Sequence, residues 1–297
     1  MVQMERKSTT EEDAGDAPPA EKRNACNASH DLLQMNQTKT NCAVTELLSS
    51  QKKLSKHGAN VSKTQSPRSN AAFSRASFGG RDGLGAYISK PESYPSDVVV
   101  YHNEDFVVIH DKFPKSSLHL LLLPRDPTKT RLHPFDAFQD PEFLAKVRAE
   151  THKLRNLAAG ELRRRYAKDS AQEQARQAAL AADPPPDELP PGRDWEQEIR
   201  CGIHAVPSMS HLHVHVISVD RYSGSLKHRK HYNSFSTPFF VPIEDFPLDK
   251  DDVRYHPTRE GYLRRDFICW RCGKEFGNRF VELKQHLDLE FKEWKKL

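Results

Sequence analysis

Three histidines alternate with apolar residues along one short stretch of the chain, His211-Leu212-His213-Val214-His215. Side chains of a β-strand point to opposite faces at every second residue, so a strand over 212–218 would place all three imidazoles on one face. A fourth histidine, His204, lies upstream, beyond a turn that contains Pro207. The pattern therefore predicts a sheet with one histidine-lined face.

Three imidazoles on one strand face allow three interpretations. Three histidines and a water can hold a catalytic zinc ion. Core histidines can instead be satisfied by backbone hydrogen bonds. The third interpretation is nucleophilic phosphoryl or nucleotidyl transfer by an imidazole. The spacing alone does not separate them.

The surrounding segments predict the rest of the sheet and its helices. Strands are expected over 98–101, 106–109, 118–123 and 198–203, and helices over 141–182 and from about Arg279 onwards. The first two strands are β-branched and aromatic and are separated by four polar residues, which is typical of a hairpin. The helical segments are rich in Ala, Leu, Glu, Arg and Gln. The predicted fold class is α+β, an antiparallel sheet with flanking helices.

The basic surplus of the chain lies near its C-terminus. The chain has 297 residues with 45 basic and 41 acidic side chains, of which residues 221–297 hold 16 and 12, so the remainder is balanced. A clustered surplus of this kind indicates a polyanionic partner. The longest apolar run, within 118–123, is far shorter than the roughly 20 residues that a membrane span needs. We therefore expect no membrane partner.

Two segments predict little packed structure. Residues 1–77 are rich in Ser, Thr, Asn, Lys and Gln and lack apolar periodicity, which predicts a disordered tail. Lys52, Lys53 and Lys56 in this tail are compatible with a nuclear-import patch or with ordinary linker charge. The stretch from about 160 to 194, helical and then proline-rich, is interpreted as a surface insertion.

Two of the five cysteines, Cys269 and Cys272, have the C-x₂-C spacing of metal ligands. His286 follows, and Glu290 lies four residues later, on the same face of a helix. This spacing is close to that of a zinc finger, with a carboxylate in place of the last histidine. We predict a structural zinc ion on these four residues. The alternatives are a water or Glu293 as fourth ligand, or two free cysteines and no site.

The run from His204 to Val216 resembles the histidine-triad signature His-φ-His-φ-His-φ-φ, where φ is apolar. Its His-Ala-x-Pro-Ser-Met lead-in is similar to that of the aprataxin family of DNA deadenylases, and so are the stretches 111–119 and 225–235. The Cys-Cys-His-Glu finger resembles that of fungal members. The resemblance covers roughly residues 78–297. It implies a histidine-triad catalytic domain over 78–240 and a linker with a zinc finger over 241–297.

The resemblance implies removal of AMP from 5′-adenylated DNA ends left by abortive ligation, in single-strand break repair. His213 is implied to be the nucleophile that forms a covalent histidine–AMP intermediate, and His204 the general acid for the departing DNA phosphate. His215 is implied to hold a phosphate oxygen and His211 to orient its neighbours. The implied product is AMP, and no catalytic metal is implied.

The same resemblance implies the residues that bind AMP. Ser208 and the backbone N–H of Met209 are implied to hold phosphate oxygens, and Lys115 to add positive charge beside them. Asp111 is implied to accept hydrogen bonds from the ribose hydroxyls. Ile109 is implied to line the adenine pocket, and plain core packing is an equal interpretation for this residue.

A DNA interface and a nuclear location are also implied. The implied DNA-binding residues are Lys227, His231, Ser234, Arg271 and Lys284. Phosphate contacts of this kind position a duplex without reading its sequence, and ordinary surface charge is the alternative for each cation. Residues 78–87 are implied to form a helix that wedges against the terminal base pair. We expect the salt dependence of DNA binding to reside in residues 221–297.

Two rival functions are compatible with parts of the pattern. The first is a general histidine-triad hydrolase of nucleoside phosphoramidates or dinucleoside polyphosphates, which the finger and the basic surplus argue against. The second is a non-catalytic zinc-finger protein that binds DNA. The complete set of His204, Ser208, His213 and His215 argues against it.

Overall fold

The structure, a computed structural model, describes residues 80–297. The predicted tail over 1–77, with Lys52, Lys53 and Lys56, lies outside the described residues. The strands are β1 Val99–His102, β2 Phe106–His110, β3 His119–Pro124, β4 Ile199–His204, β5 Val214–Ser218, β6 Phe240–Pro242, β7 Phe267–Ile268 and β8 Glu275–Gly277. The α-helices are α1 Gly85–Ser89, α2 Pro134–Ala137, α3 Pro141–Tyr166, α4 Ala171–Leu180, α5 Arg229–Ser236 and α6 Phe280–Lys296. Short 3₁₀ turns cover Pro91–Ser93, Ala167–Asp169, Ile243–Asp245, Val253–Tyr255 and Tyr262–Arg264.

Six strands form one antiparallel sheet in the order β1-β2-β3-β5-β4-β6, and β7 pairs with β8. The predicted α+β fold class is confirmed. The strand expected over 212–218 begins two residues later, at Val214, because the Leu212 N–H donates to the Thr130 carbonyl at 2.8 Å instead of joining the sheet. The strand β6, a three-residue edge strand paired with Gly202–His204, is not predicted by the sequence pattern.

Local signals explain the two long helices of the domain. Asp140 caps α3 by accepting from the N–H groups of Glu142 and Phe143 at 3.0 and 3.1 Å, and Pro141 occupies the first turn. Ser170 caps α4 in the same way, with Glu173 three residues later. The resemblance implies a helix over 78–87; of the described residues in this segment, 81–84 form a turn and α1 begins at Gly85, since glycine at 80 and 83 disfavours helix.

The two faces of the sheet have different partners. Residues such as Val108, Leu120 and Val216 face α3 in the main apolar core. Their neighbours Val107, Ile109 and Leu121 face the opposite way, where Leu84 at the start of α1 covers them. The histidines of β3, β4 and β5 lie on this second face, as the period of two requires.

The C-terminal module, formed by β7, β8 and α6, packs against the domain of the six-stranded sheet through two apolar clusters. Leu226 and Tyr232 of the sheet domain share a buried core with Phe267, Cys269, Phe276, Leu283 and Leu287 of the module. At the other end of α6, Phe291 and Trp294 belong to the main core. All described residues lie in one compact unit. Within 80–297, no helix combines the length and apolar character needed to span a membrane.

Gly202 is required where β4 packs against β6. A Cβ atom at this position would lie 2.3 Å from the Val241 carbonyl oxygen and 2.8 Å from the Phe240 ring. We predict that Gly202→Ala lowers the free energy of unfolding by about 1–3 kcal/mol, the usual range for overpacking.

Urea unfolding measures this effect, with Gly160→Ala as the control. Gly160 is exposed on α3 and a Cβ there meets nothing within 4 Å, so that change should stabilise by about 0.5–1 kcal/mol. Equal effects of the two substitutions would contradict the prediction.

Candidate active site and metal centre

Four histidine rings meet on the second face of the sheet. His215 lies at the centre, with ring centroids 4.4 Å from His204, 4.8 Å from His213 and 5.1 Å from His119. Register brings them together, because His215 is paired with Gly202 of β4, two residues before His204. Phe235 of α5 packs against three of these rings. Phe240 also contacts His204 and His215, so the arrangement is a buried imidazole cluster with aromatic neighbours.

His213 has a defined tautomer. Its Nδ1 lies 2.7 Å from the His211 carbonyl oxygen, and a carbonyl only accepts, so Nδ1 carries the proton and Nε2 keeps its lone pair. Burial lowers the pKa of His213 below its ordinary value. The free protein therefore holds a neutral, oriented imidazole with one basic nitrogen.

His119 is a further residue of the site, beyond those that the sequence motifs predicted. Its Nδ1 accepts the Lys115 backbone N–H at 3.2 Å, which leaves its Nε2–H to donate to His215 Nδ1 at 3.0 Å. His215 then carries its own proton on Nε2. The signal was present, because His119 ends the stretch 111–119 on which part of the resemblance rests.

Two buried ring nitrogens are left for a ligand. Within the described part of the chain, the Nε2 atoms of His204 and His215 have no hydrogen-bond partner. Burial lowers the pKa values of both rings well below the ordinary histidine value, and the charge of Lys115 contributes in the same direction. His215 Nε2 carries a proton, and an unsatisfied buried donor is costly, so this nitrogen favours an oxygen-rich anion beside it and His204.

The loop from Asp111 to His119 brings further polar groups to the cluster. Asp111 accepts the Phe113 N–H at 2.7 Å, and its second oxygen lies 3.4 Å from His119 Nδ1. Burial lowers the pKa of the Lys115 ammonium, which contacts the Phe113 carbonyl. Asp111 and Lys115 thus lie beside the histidines, and their implied roles in AMP binding stay predictions.

An apolar wall continues the histidine row. Leu121 of β3 is paired with Ile109 on one side and with His215 on the other. Ile109 is buried in one cluster with Leu121 and Leu84, against which Met209 packs. Ile109 is therefore a core residue on β2, and β3 separates this strand from β5, which carries His215. Both interpretations of this residue remain compatible with its position.

His211 does not join the ring cluster. Its ring lies against α1, where a Cβ on Gly85 would be 2.9 Å from two ring atoms. Its carbonyl oxygen instead holds the nucleophile candidate His213. His211 thus lies between α1 and His213, which fits the orienting role that the resemblance implied.

Ser208 lines a cavity together with Val206, which lies two residues after His204 in the chain. The cavity measures about 530 Å³. It combines apolar walls with three cationic side chains, and its lining includes Val206, Phe239, Leu263, Arg81, Lys230 and Arg264. Its composition suits a ligand that has both anionic and apolar parts.

The implied DNA-binding residues lie in three different environments. Lys227 is exposed, and its backbone N–H donates to His231 Nδ1 at 3.1 Å. Burial, with the nearby charges of His228 and Lys115, lowers the pKa of His231 to about 4. Ser234 is buried within α5. These assignments stay predictions.

The two finger cations make internal contacts. The Lys284 ammonium donates to the Ser223 carbonyl at 2.8 Å, and Arg271 donates to Glu290 Oε2 at 2.6 Å. Both side chains therefore brace the module, whether or not they also contact a phosphate.

Cys269, Cys272, His286 and Glu290 form the predicted metal centre. One ligand atom of each lies within 4.8 Å of the others, and His286 Nε2 is 3.1 Å from Cys272 Sγ and 3.0 Å from Glu290 Oε1. Gly273 has a φ of +73°, which allows the tight turn after the cysteines. Two sulfurs, one nitrogen and one carboxylate oxygen are a donor set that zinc accepts. The residues therefore fit a structural zinc ion.

This fold and site define a histidine-triad domain joined to a zinc finger. Residues 93–222 match the HIT domain family, and residues 236–293 match the C2HE / C2H2 / C2HC zinc-binding finger. The chain is 38% identical to an aprataxin-like protein of Schizosaccharomyces pombe, over 72% of this chain and 82% of the relative. It is 37% identical to an aprataxin-like protein of Saccharomyces cerevisiae, over 71% of this chain and 95% of the relative.

A solved structure leads to the same family. The crystal structure of the aprataxin ortholog Hnt3 in complex with DNA is 36% identical in sequence and superposes with a TM-score of 0.57, covering 72% of this chain and 96% of Hnt3. The chain belongs to the aprataxin family, and hence to the hydrolases of the HIT superfamily.

The buried neutral histidines predict a loss of stability in acid. Burial lowers the pKa of His119 to about 4, whereas an unfolded histidine titrates near 6.5. Between these values the unfolded chain binds more protons than the folded one, so the free energy of unfolding falls as the pH is lowered through this window.

Urea unfolding between pH 6.5 and 4.5 measures the contribution of His119. His119→Gln should give a shallower pH dependence, by as much as one proton, and His256→Gln, at an exposed position, should not change it. Both variants keep the metal ligands, so the contribution of zinc cancels. Identical slopes in His119→Gln and wild type would contradict the prediction.

Arg271 predicts a measurable effect on zinc affinity. Its guanidinium holds one oxygen of Glu290, which directs the other towards His286. Partners of metal ligands typically contribute about 10–100-fold in affinity, so Arg271→Gln should weaken zinc binding about tenfold. Competition with a chromogenic chelator measures this, with Lys292→Gln, at an exposed position on the helix that carries Glu290, as control. Equal affinity in the two variants would rule out the orienting role.

Proposed function

We propose that this protein removes AMP from 5′-adenylated DNA ends left by abortive ligation, in DNA single-strand break repair. The observation that carries the proposal is the His213 imidazole, fixed by the His211 carbonyl at 2.7 Å beside two unsatisfied ring nitrogens. The relationship to a structure that holds DNA supports a DNA substrate. The proposed location is the nucleus, where such substrates arise.

The first step is attack by His213 Nε2 on the AMP phosphorus. A bond forms between nitrogen and phosphorus, and the bond from this phosphorus to the bridging oxygen of the DNA phosphate breaks. His204 gives a proton to the departing oxygen. His215 Nε2–H and the Lys115 ammonium hold the phosphoryl oxygens, whose charge grows in the transition state.

The second step returns the enzyme to its starting state. Water attacks the phosphorus of the histidine–AMP intermediate, the nitrogen–phosphorus bond breaks, and a neighbouring base takes the proton of the water. The products are AMP and a DNA end with a 5′-phosphate. Splitting the displacement into two steps in this way makes each barrier lower.

The negative charge of the substrate favours the protonated form of His204, which the general acid needs. Burial keeps the His204 ring neutral in the free protein. An anionic pyrophosphate beside His204 favours its protonated form and raises its pKa. Lys115, the nearest cation of the site, opposes this in the free protein and is neutralised by the same phosphates.

The chemistry we propose uses no catalytic metal. Asp111, His119 and His215 place ligand atoms within 4.8 Å of one another, but both ring nitrogens of His119 face protein groups, the Lys115 N–H and His215. The finger's zinc is proposed to be structural, supplying fold stability to a module with only two short strands and one helix.

A general histidine-triad hydrolase is the main alternative function. It would need the imidazole cluster and the AMP pocket but not the finger. The shared core of Tyr232 with Cys269 and Phe276 makes the finger part of the same body, which favours a substrate that extends beyond AMP.

A substrate comparison tests the proposed function. We expect AMP release from a 5′-adenylated nicked duplex with a kcat/KM well above that for a small AMP–lysine phosphoramidate. His213→Ala should lower AMP release by at least about 10³-fold, as the loss of a nucleophile does, and leave duplex binding largely intact. Equal kcat/KM on the two substrates would contradict the DNA assignment, and AMP release that survives in His213→Ala would contradict the nucleophile.

A further inference from the structure

The C-terminal end of α6 is held by an arginine between two tryptophans. Arg193 lies with its guanidinium carbon 4.4 Å from the Trp195 ring and 4.7 Å from the Trp294 ring. Arg193 and Trp294 are almost completely buried, at 6% and 1% exposure. We call Arg193, Trp195, Glu198 and Trp294 the arginine clamp.

Hydrogen bonds complete the arginine clamp. Arg193 donates to Glu198 Oε1 through Nε and Nη2, at 3.1 and 2.7 Å, and to the Trp294 carbonyl through Nη1 at 2.7 Å. The Trp294 indole N–H donates to Glu198 Oε2 at 2.7 Å. Each charge has an opposite partner, which a buried pair requires if it is not to destabilise.

The segment interpreted as an insertion supplies the surroundings of the arginine clamp. The Trp195 indole donates to Glu173 at 3.0 Å, and Glu173 is paired with Arg163 at 3.1 Å. Tyr166 packs edge-on against Trp294 and Phe291. Residues 160–194 thus form part of the contact with the finger.

The arginine clamp is distant from the chemistry but close to the metal centre. Glu198 directly precedes β4, whose last residue is His204. At the strand rise of about 3.3 Å per residue, Glu198 and His204 are separated by roughly 20 Å. Glu290 lies one helical turn before Trp294 on α6. The clamp therefore fixes the helix that carries His286 and Glu290, and does not reach the reacting phosphorus.

We propose that the arginine clamp determines substrate specificity by fixing the zinc finger relative to the imidazole cluster, so that a DNA duplex is bound by both at once. This inference rests on the proposed function. A loosely held finger would still fold around zinc, but its effective concentration at a duplex held by the catalytic domain would fall. Small AMP conjugates, which reach only the imidazole cluster, would be hydrolysed as before.

Kinetics of Arg193→Met on two substrates tests the proposal. We expect KM for a 5′-adenylated nicked duplex to rise about tenfold while kcat on this duplex changes by less than about twofold. The kcat/KM for AMP–lysine should also stay within about twofold of wild type. Arg193→Lys should behave similarly, because an ammonium cannot make the three hydrogen bonds of the planar fork. Arg164→Met is the matched control, since Arg164 makes an equivalent two-bond pair with Glu161 on the exposed face of α3.

Two results of this experiment would overturn the proposal. An unchanged KM for the duplex in Arg193→Met overturns the proposal. Equal losses on duplex and AMP–lysine overturn it as well, because they would show a general role in stability. If Arg193→Met does not fold, Trp294→Phe removes the indole N–H bond to Glu198 and part of the ring that covers Arg193, and it should show the same split. Failure of the proposed function is separable, because it would appear as a missing duplex preference in the wild type.

Discussion

The site depends on burying four imidazoles in their neutral form next to one another. A charged imidazolium in this position would lose its hydration, and a second charged ring beside it would repel it, so both effects favour the neutral ring. Neutrality in turn makes hydrogen bonding directional, because each ring then has one donor and one acceptor. The chain of contacts from the Lys115 N–H through His119 to His215 uses this property to leave one proton pointing towards the ligand.

The fold supplies what this cluster needs. Three adjacent antiparallel strands, β3, β5 and β4, bring His119, His215 and His204 side by side, and Gly202 leaves room for the Phe240 ring beside them. The nucleophile candidate lies just outside the sheet, and this position explains its fixed tautomer. Within a regular ladder the His211 carbonyl would pair with a neighbouring strand, whereas before β5 it is free to accept from His213.

The sequence predicted the elements and the motif but not the contacts between distant segments. Strand periodicity located β4 and β5 to within two residues because local side-chain alternation determines it. The role of His119 depends on its contact with His215, which lies 96 positions away in the chain. A local sequence pattern does not predict a contact between such distant residues. The contacts of Arg271 with Glu290 and of Lys284 with the Ser223 carbonyl were missed for the same reason. A cation that is exposed and one that is hydrogen-bonded within the protein look the same in the sequence. The three-residue strand β6 has too little pattern to be recognised before its pairing with β4 is seen.

The connection between the two modules has a physical consequence for any substrate larger than a nucleotide. At one end, Tyr232 donates to the Ile268 carbonyl at 2.8 Å and accepts the Trp270 N–H at 2.9 Å. At the other end, Phe291 stacks on Tyr222 with ring centroids 4.0 Å apart, next to Trp294. A module held at two separated places cannot pivot about either one. The finger therefore has a fixed position relative to the sheet that carries the imidazole cluster, and the entropy of aligning the two is lost when the protein folds rather than when it binds a ligand. A rigid extended ligand gains from such an arrangement and a mononucleotide does not, which is the physical basis of the duplex preference that we propose.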